Sequence, residues 1–286
     1  MTLDYSNFNL ELSIFSGQCF EWQKINDWFY GEIFPGSIIK IKQIGNVKKG
    51  YLEYEVFGND VSESQIRYYF SLIKEYDFII SSLLNKHDPF LTKSISVLNG
   101  IRLINQDPLR CTMSFIISAN NNVKNISNSV ALICKKFGSK IQTDIGEINI
   151  FPKLQILKEI SESDYRLLKL GFRSKYLAQL TRVVDELSFF DNLKTKNYFD
   201  AKSILIQIPG IGSKVADCIL LYSLNKYEPY PLDVWLRRVT LECYFDNDEQ
   251  VTNIIITKWA SEYFGEYAGV AHMYLFVYRR SIGPLK

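Results

Sequence analysis

The segment "IPGIGSKVADC" (residues 208–218) decides the fold of this chain, because it joins two apolar segments. "AKSILIQ" precedes it and "ILLYSL" follows it, and both are typical of buried helices. Pro209 disfavours continuation of the first helix, and Gly210 and Gly212 permit close backbone approaches. Ser213 is well suited to cap the second helix. The segment therefore predicts a short hairpin between two helices.

A hairpin of this kind can bind the sugar–phosphate backbone of DNA, although an ordinary helical hairpin without a ligand would also explain the turn. Backbone N–H groups near a helix start bind phosphate oxygens without reading base sequence. Lys214 lies in the first turn of the second helix, where the helix dipole disfavours a positive charge. A neutral lysine amine is a nucleophile, but the dipole contributes only about 0.3–1 kcal/mol, less than one pKa unit. Activation would also need burial in a dry pocket, so a phosphate-binding or solvated lysine explains the position equally well.

A second chemical feature is Asp233 in "YPLDVWLRRV", nineteen residues after Lys214. Pro231 interrupts the chain there, and the aspartate precedes a new apolar pattern, which predicts an N-cap. A carboxylate at this place can also stabilise positive charge that develops on a sugar, as glycoside cleavage requires.

Composition excludes several classes of protein. With 286 residues and 47% hydrophobic content, the chain is expected to be globular. It contains no apolar run of about 18 residues and begins without a signal-peptide pattern, so we expect a cytoplasmic protein that does not span a membrane. The five scattered cysteines lack CxxC spacing, which argues against a zinc ribbon or an iron–sulfur cluster. A net charge of +2 neither requires nor excludes a nucleic-acid partner.

The period of the apolar pattern changes along the chain. Up to about residue 60 it is two, and in "YLEYEV" Leu52, Tyr54 and Val56 share one face. Ser62 and Gln65 form a capping-box pattern that predicts a helix start. From about residue 100 the pattern turns helical, as in "NISNSVALICKKF".

The sequence thus predicts an α+β fold. An N-terminal antiparallel β-sheet domain with flanking helices (residues 1–100) is expected to pack on a mostly α-helical domain (residues 101–286), which holds the hairpin at 201–224.

The hairpin, the lysine in "GSKVADC" and the aspartate in "PLDV" together resemble the helix-hairpin-helix (HhH-GPD) DNA glycosylases. Further stretches are similar to the eukaryotic-type 8-oxoguanine DNA glycosylases of that superfamily, which also occur in some bacteria and archaea. They are "SGQCFEW" (16–22), "QDPLRC" with "SFIISANNN" (106–122), "LGFRSKYL" (170–177) and "YAGVAHMYLF" (267–276). The matches keep their order over nearly the whole chain.

The resemblance implies a bifunctional enzyme that acts on double-stranded DNA containing oxidised guanine. Lys214 would attack the sugar C1′ and expel the base, leaving a Schiff base that eliminates the 3′ phosphate. Asp233 would stabilise the charged sugar and help to position the lysine. The damaged nucleotide must first leave the base stack. No cofactor is implied, apart from a structural monovalent cation on carbonyls of the hairpin loop, and we expect a nucleoid-associated prokaryotic monomer.

The resemblance also implies a damaged-base pocket and a DNA surface. The Gly17 carbonyl would accept the N7 proton that oxidised guanine has and guanine lacks, and Cys218 and Phe276 would sandwich the base. The implied DNA contacts are Asn120 in the gap left by the base, Phe172 as an unstacking wedge, Arg173 on the orphaned cytosine, and Gly210 and Gly212 at the phosphates. Turn formation, helix capping and core packing explain many of these residue types without any function.

The chain departs from the family pattern at three positions. His272 replaces a glutamine that reads the Watson–Crick edge of the damaged base. Trp235 replaces a histidine that contacts DNA near the lesion. Asn125 replaces a second arginine on the partner cytosine, so a relaxed choice of partner base is expected.

Two other functions remain open at this point. The chain could be a non-catalytic DNA-binding hairpin module, although such a clamp needs neither Lys214 nor Asp233. It could instead be a glycosylase for another damaged base, such as an alkylated one, although a hydrolytic glycosylase would not need Lys214.

Overall fold

Five strands near the start of the chain form one antiparallel sheet in the computed structural model, which describes residues 1–184 and 186–283. They are β1 (Thr2–Ser6), β2 (Gln23–Ile25), β3 (Trp28–Phe34), β4 (Ser37–Asn46) and β5 (Lys49–Gly58), in the sheet order β1-β5-β4-β3-β2. The alternation expected in β5 is confirmed, since Leu52 and Tyr54 are buried and Val56 is half-buried. A short helix, α1 (Leu10–Ile14), interrupts this region, and the sequence did not predict it.

Helices make up most of the remaining chain. They are α2 (Glu63–Tyr69), α3 (Lys74–Leu84), α4 (Pro89–Val97), α5 (Pro108–Ser118), α6 (Val123–Phe137), α7 (Leu154–Glu159), α8 (Glu162–Leu167), α9 (Arg173–Val183), α10 (Ser188–Thr195), α11 (Tyr198–Leu205), α12 (Ser213–Ser223), α13 (Val234–Tyr244), α14 (Asn253–Phe264) and α15 (Ala268–Ser281). The capping box that starts α2 is confirmed, because Ser62 N donates to Gln65 Oε1 and Gln65 N donates to Ser62 Oγ.

The mostly helical half also contains a β-hairpin, which the sequence did not predict. Strands β6 (Lys140–Thr143) and β7 (Gly146–Asn149) pair antiparallel around a turn at Asp144. Lys40 of β4 forms an ion pair with Asp144. The hairpin therefore lies against the sheet, and this long-range packing favours strand over helix.

The fold class is α+β, as predicted. One apolar cluster lies on the sheet, and a larger one fills the helical body. Tyr76 and Leu83 of α3 and Leu91 of α4 belong to the larger cluster, although they precede residue 101. The domain boundary at residue 100 stays a prediction, and residues 185 and 284–286 of the predicted helical domain lie outside the described residues.

A buried ion cluster joins the sheet to α5. The Arg110 side chain is almost fully buried, with Glu21 3.4 Å and Glu32 3.3 Å from its guanidinium nitrogens. Burial alone would lower the pKa of Arg110, but the two carboxylates outweigh it and raise the pKa. Removing one partner would leave a buried charge unpaired, which costs several kcal/mol in typical proteins, about 3–5. This cluster fixes the sheet to the helix that carries one wall of the cavity described below.

The predicted hairpin is formed by α11 and α12. Asp217 of α12 is buried and accepts hydrogen bonds from Tyr198 Oη (2.8 Å) and Lys202 Nζ (2.9 Å) of α11, which ties the two helices together. Gly210 has a φ of +90°, and a Cβ there would overlap the ring of Tyr176, so the turn requires glycine.

Two details of the turn differ from the prediction. The N-cap of α12 is Gly212, and Ser213 is the first helical residue, so the prediction of Ser213 as the cap was wrong. Gly212 has an ordinary φ of −87°, and a Cβ there would meet no atom of the described chain. The fold itself therefore does not require glycine at this position.

Candidate functional site

A cavity of about 660 Å³ opens between the loop after α1 and helices α5, α12, α13 and α15. Its wall includes these residues singled out by the sequence: Gly17, Asn120, Lys214, Asp233, Trp235 and Phe276. The structure thus brings together side chains that are far apart in the chain. The loop carrying Gly17 is held in place because Gln106 Nε2 donates to the Gln18 carbonyl at 2.7 Å.

Lys214 reaches the cavity from the first turn of α12 and is half-buried. Its Nζ lies 5.1 Å from the centre of the Phe115 ring and near the Cys218 thiol, one turn along the helix. Burial raises the pKa of that thiol to about 11, although Lys214 opposes the shift, so the sulfur is neutral. No carboxylate of the described residues lies within 4.0 Å of the ammonium. The amine therefore faces soft, uncharged groups and is not held in an ion pair.

Asp233 caps α13, as the sequence predicted. Its Oδ1 accepts a hydrogen bond from Leu236 N at 2.8 Å, and the residue is half-buried in the cavity wall. The capping bond fixes the carboxylate in one orientation. The same residue thus serves a structural role and presents negative charge to the cavity that also contains Lys214.

Cys218 and His272 lie beneath the cavity wall. They are 2% and 4% exposed, and the His272 ring is parallel to the Phe276 ring at 5.8 Å. Burial, followed by the charge of Lys214, lowers the pKa of His272 to about 3, although its hydrogen bond to the Pro231 carbonyl opposes the shift. The imidazole is therefore neutral near pH 7. Direct contact of these two side chains with a base stays a prediction, whereas Phe276 does reach the cavity.

Asn120 lines the cavity, and Arg173 holds the turn that carries Asn120. Asn120 is exposed in a left-handed turn with φ of +51°, and Arg173 Nε donates to the Ala119 carbonyl at 3.0 Å. Arg173 Nη2 donates to the Asn120 carbonyl at 2.9 Å. The guanidinium also lies 4.6 Å from the centre of the Phe172 ring, which is 51% exposed. An apolar ring and a fixed cation thus flank the turn that carries Asn120.

Two other predicted residues, Trp235 and Asn125, are exposed at the surface. Trp235 is half exposed beside Asp233, and its ring centre is 5.8 Å from the Arg238 guanidinium carbon. Asn125 is exposed in the first turn of α6 and does not line the cavity. Both positions are open to a partner that approaches the cavity.

Several cavity residues were missed by the sequence analysis. Phe115 falls within the stretch "SFIISANNN", but nothing in the local pattern separates it from core residues. Arg280 follows Phe276 by four residues, which places both on one face of α15. That spacing is the only signal that could have identified Arg280 as a wall residue.

The described residues contain no group of three or more histidine, cysteine, aspartate or glutamate side chains that could hold a metal ion. Within the same described ranges, no helix combines the length and apolar content that a membrane crossing requires.

Comparisons with known proteins match this arrangement. Residues 1–111 match the family model described as the N-terminal domain of 8-oxoguanine DNA glycosylase. A probable N-glycosylase/DNA lyase of Methanothermobacter thermautotrophicus is 26% identical over 308 aligned positions, covering 100% of this chain and 97% of the relative.

Two solved structures match nearly the whole chain. The 8-oxoguanine glycosylase/lyase of Clostridium acetobutylicum, in complex with double-stranded DNA containing cytosine opposite 8-oxoguanine, is 30% identical with a TM-score of 0.85. The match covers 98% of this chain and 97% of that protein. A 3-methyladenine DNA glycosylase of Archaeoglobus fulgidus has a TM-score of 0.80 at 18% identity and shares the fold.

Proposed function

This chain belongs to the 8-oxoguanine DNA glycosylase/lyase family, and on that basis we propose that it excises 8-oxoguanine from duplex DNA and then cleaves the abasic strand. The observation that carries the proposal is the placement of Lys214 and Asp233 on the wall of one cavity, together with Gly17 and Phe276. A clamp that only binds phosphates could use Lys214, but it needs no carboxylate such as Asp233 on the wall of the same cavity.

In the proposed reaction, the neutral amine of Lys214 attacks C1′ of the flipped nucleotide. The C1′–N9 bond breaks, its electron pair leaves with the base, and the proton released by the amine neutralises the departing base. The nitrogen lone pair then forms the C=N bond of a protonated Schiff base while the C1′–O4′ bond breaks, and O4′ takes a proton from solvent. Loss of a C2′ proton from the Schiff base then expels the 3′ phosphate. Asp233 stabilises the positive charge on C1′ and the ring oxygen during cleavage.

Base recognition is proposed to use the Gly17 carbonyl as acceptor for the N7 proton of 8-oxoguanine and the Phe276 ring as a stacking face. Cys218 is proposed to flank the other face together with Lys214, and His272 to approach the Watson–Crick edge. In this proposal Asn120 and Phe172 fill the gap in the duplex, and Arg173 contacts the orphaned base. The hydrogen bond from Arg173 to the Asn120 carbonyl supports these roles, because it fixes the turn that carries Asn120.

The hairpin loop is proposed to bind DNA phosphates through backbone groups at Gly210 and Gly212. The same loop supplies carbonyl oxygens, such as that of Ile208, which accepts only the N–H of Ile211 at 3.0 Å among the described residues. A carbonyl has a second lone pair, so these atoms suit the proposed monovalent cation. The exposed Trp235 is proposed to extend this DNA-binding surface.

We also propose that the protein acts as a monomer on the nucleoid in the cytoplasm.

The proposed function is tested with four labelled duplexes that contain 8-oxoguanine opposite cytosine, guanine opposite cytosine, 3-methyladenine, or an abasic site. We expect strand cleavage at 8-oxoguanine and at the abasic site without added alkali, and no cleavage at guanine. Release of 3-methyladenine with no action on 8-oxoguanine would support the glycosylase for another damaged base. Binding of every duplex with no base release would support the non-catalytic clamp.

The choice of partner base is expected to be relaxed, because Asn125 replaces the second arginine that the family pattern places on the partner cytosine. A direct base contact contributes about 1–3 kcal/mol of discrimination, so its loss should reduce the preference for cytosine by roughly tenfold to a hundredfold. Single-turnover excision from duplexes with each of the four partner bases measures this, and Asn125→Arg should strengthen the preference for cytosine. A strong cytosine preference in the unmodified protein would show that Arg173 and Asn120 suffice.

A further inference from the structure

One cation on the cavity wall has no role in the proposed reaction. Arg280 lies one turn after Phe276 on α15, and its guanidinium carbon is 5.5 Å from the centre of the Phe276 ring. Its Nη2 donates to the Phe15 carbonyl at 3.1 Å. These two contacts hold the guanidinium in one orientation between α15 and the loop that carries Gly17.

The second nitrogen of this guanidinium has no partner. Nη1 of Arg280 is buried without a hydrogen bond, and among the described residues no carboxylate lies within 4.0 Å of the side chain. Nη1 of the neighbouring Arg279 also lacks a hydrogen bond, but it lies 3.3 Å from the carboxylate oxygen Oε2 of Glu242. Buried donors are nearly always paired, so an unpaired one on a cavity wall indicates a ligand acceptor.

Gly17 and Arg280 are closely packed. Gly17 has a φ of +96°, and a Cβ there would overlap Arg280 Nη1. Glycine is therefore required both by the backbone conformation and by the space that the guanidinium occupies. The unpaired donor of Arg280 consequently lies beside the backbone that carries the proposed acceptor for N7–H.

The edge of 8-oxoguanine around N7 matches this pair of groups. It presents the O6 acceptor, the N7–H donor and the O8 acceptor in a row. An acceptor carbonyl at Gly17 with a donor guanidinium next to it complements N7–H and one flanking oxygen. A guanidinium is always charged and strongly hydrogen-bonding, so its bond to a carbonyl oxygen is charge-assisted.

We propose that Arg280 is a specificity-determining residue that donates a hydrogen bond from Nη1 to O6 or O8 of the flipped 8-oxoguanine. This inference rests on the proposed function, because it concerns the same cavity and the same base. In this proposal, the Phe15 carbonyl and the Phe276 ring orient the Arg280 guanidinium for that bond.

The test compares a base-containing duplex with a base-free one. Arg280→Met removes the donors and keeps an extended apolar side chain, so single-turnover excision of 8-oxoguanine is expected to fall by about tenfold to a hundredfold. Cleavage of a preformed abasic site needs Lys214 but no base contact, and it should change by less than about twofold. Arg67→Met is a control, since Arg67 pairs with Glu63 on the surface of α2; it should leave both rates unchanged.

Binding measurements in a Lys214→Gln background distinguish the two oxygens. The duplexes carry 8-oxoguanine, or 8-oxoadenine, which keeps O8 and N7–H but has an amino group in place of O6. If Arg280→Met weakens binding of both lesions, the bond is made to O8, which both bases carry. If it weakens binding of 8-oxoguanine alone, the bond is made to O6. Equal losses on the lesion and abasic duplexes, or no loss on either, would overturn the proposal. Failure of the unmodified protein to act on 8-oxoguanine would instead refute the proposed function.

Discussion

Lys214→Gln is expected to lower the single-turnover rate of 8-oxoguanine excision by on the order of 10⁴-fold or more, because loss of a covalent nucleophile removes a whole reaction pathway. The amide cannot form a Schiff base, so cleavage of a preformed abasic site should also disappear. DNA binding should persist, since the hairpin and the cavity rim are unchanged. The measurement is quenched-flow or manual single-turnover cleavage with enzyme in excess over duplex.

The matched variant is Lys214→Arg, which keeps the positive charge over the Phe115 ring but cannot act as the amine nucleophile. We expect it to bind the lesion duplex and to remain inactive in both steps. Substantial excision by the arginine variant would show that Lys214 contributes charge and not a covalent bond. The protein would then be a hydrolytic glycosylase.

Asp233→Asn is the second change with a large expected effect. It removes the negative charge beside C1′, and loss of one preorganised electrostatic contact typically costs about 10²–10³-fold in rate. Asparagine caps helices as well as aspartate does, so the free energy of unfolding should stay nearly constant. The readouts are single-turnover excision, affinity for the lesion duplex and thermal unfolding of the same preparation.

Two further variants separate the charge from the cap. Asp233→Ala loses the bond to Leu236 N as well and should be destabilised by about 1 kcal/mol beyond its loss of rate. Asp107→Asn changes another aspartate cap, at the start of α5, away from the cavity wall, and it should keep full activity. If the Asp233→Asn protein unfolded at a lower temperature but excised 8-oxoguanine at the unmodified rate, helix capping would be the entire role of Asp233.

Local features of the fold could be predicted well from the sequence. The Ser62–Gln65 capping box, the alternating strand β5 and the Asp233 cap depend on residues only a few positions apart. Such features follow from backbone hydrogen bonding and side-chain direction. The β6–β7 hairpin was missed because its strands are short and are stabilised by packing against the sheet through Lys40 and Asp144.

The cavity could be predicted only in part. Lys214 and Asp233 were identified from placement and resemblance, but their meeting in one cleft depends on how α12 and α13 pack, which no local pattern determines. Arg280 carried no sequence signal beyond its spacing from Phe276, because a terminal arginine usually only complements the helix dipole. Its significance comes from the buried nitrogen beside Gly17, which is visible only in three dimensions.

The burial of Cys218 and His272 could not be predicted from the sequence. The resemblance implies that both side chains contact the base, and this stays a prediction. The structure shows both buried behind the cavity wall, with the His272 ring parallel to the Phe276 ring. The rings of Tyr230 and Phe276 pack against the His272 ring, and sequence spacing gives no measure of this burial.

Borohydride trapping tests the central claim most directly. The unmodified protein is incubated with a duplex that contains 8-oxoguanine, borohydride is added during turnover, and the protein–DNA adduct is digested and sequenced by mass spectrometry. Covalent catalysis by Lys214 predicts a single cross-linked peptide, modified at Lys214, which is absent from the Lys214→Gln protein. Excision that proceeds with no trapped adduct, or an adduct on another amine that persists in Lys214→Gln, would contradict it.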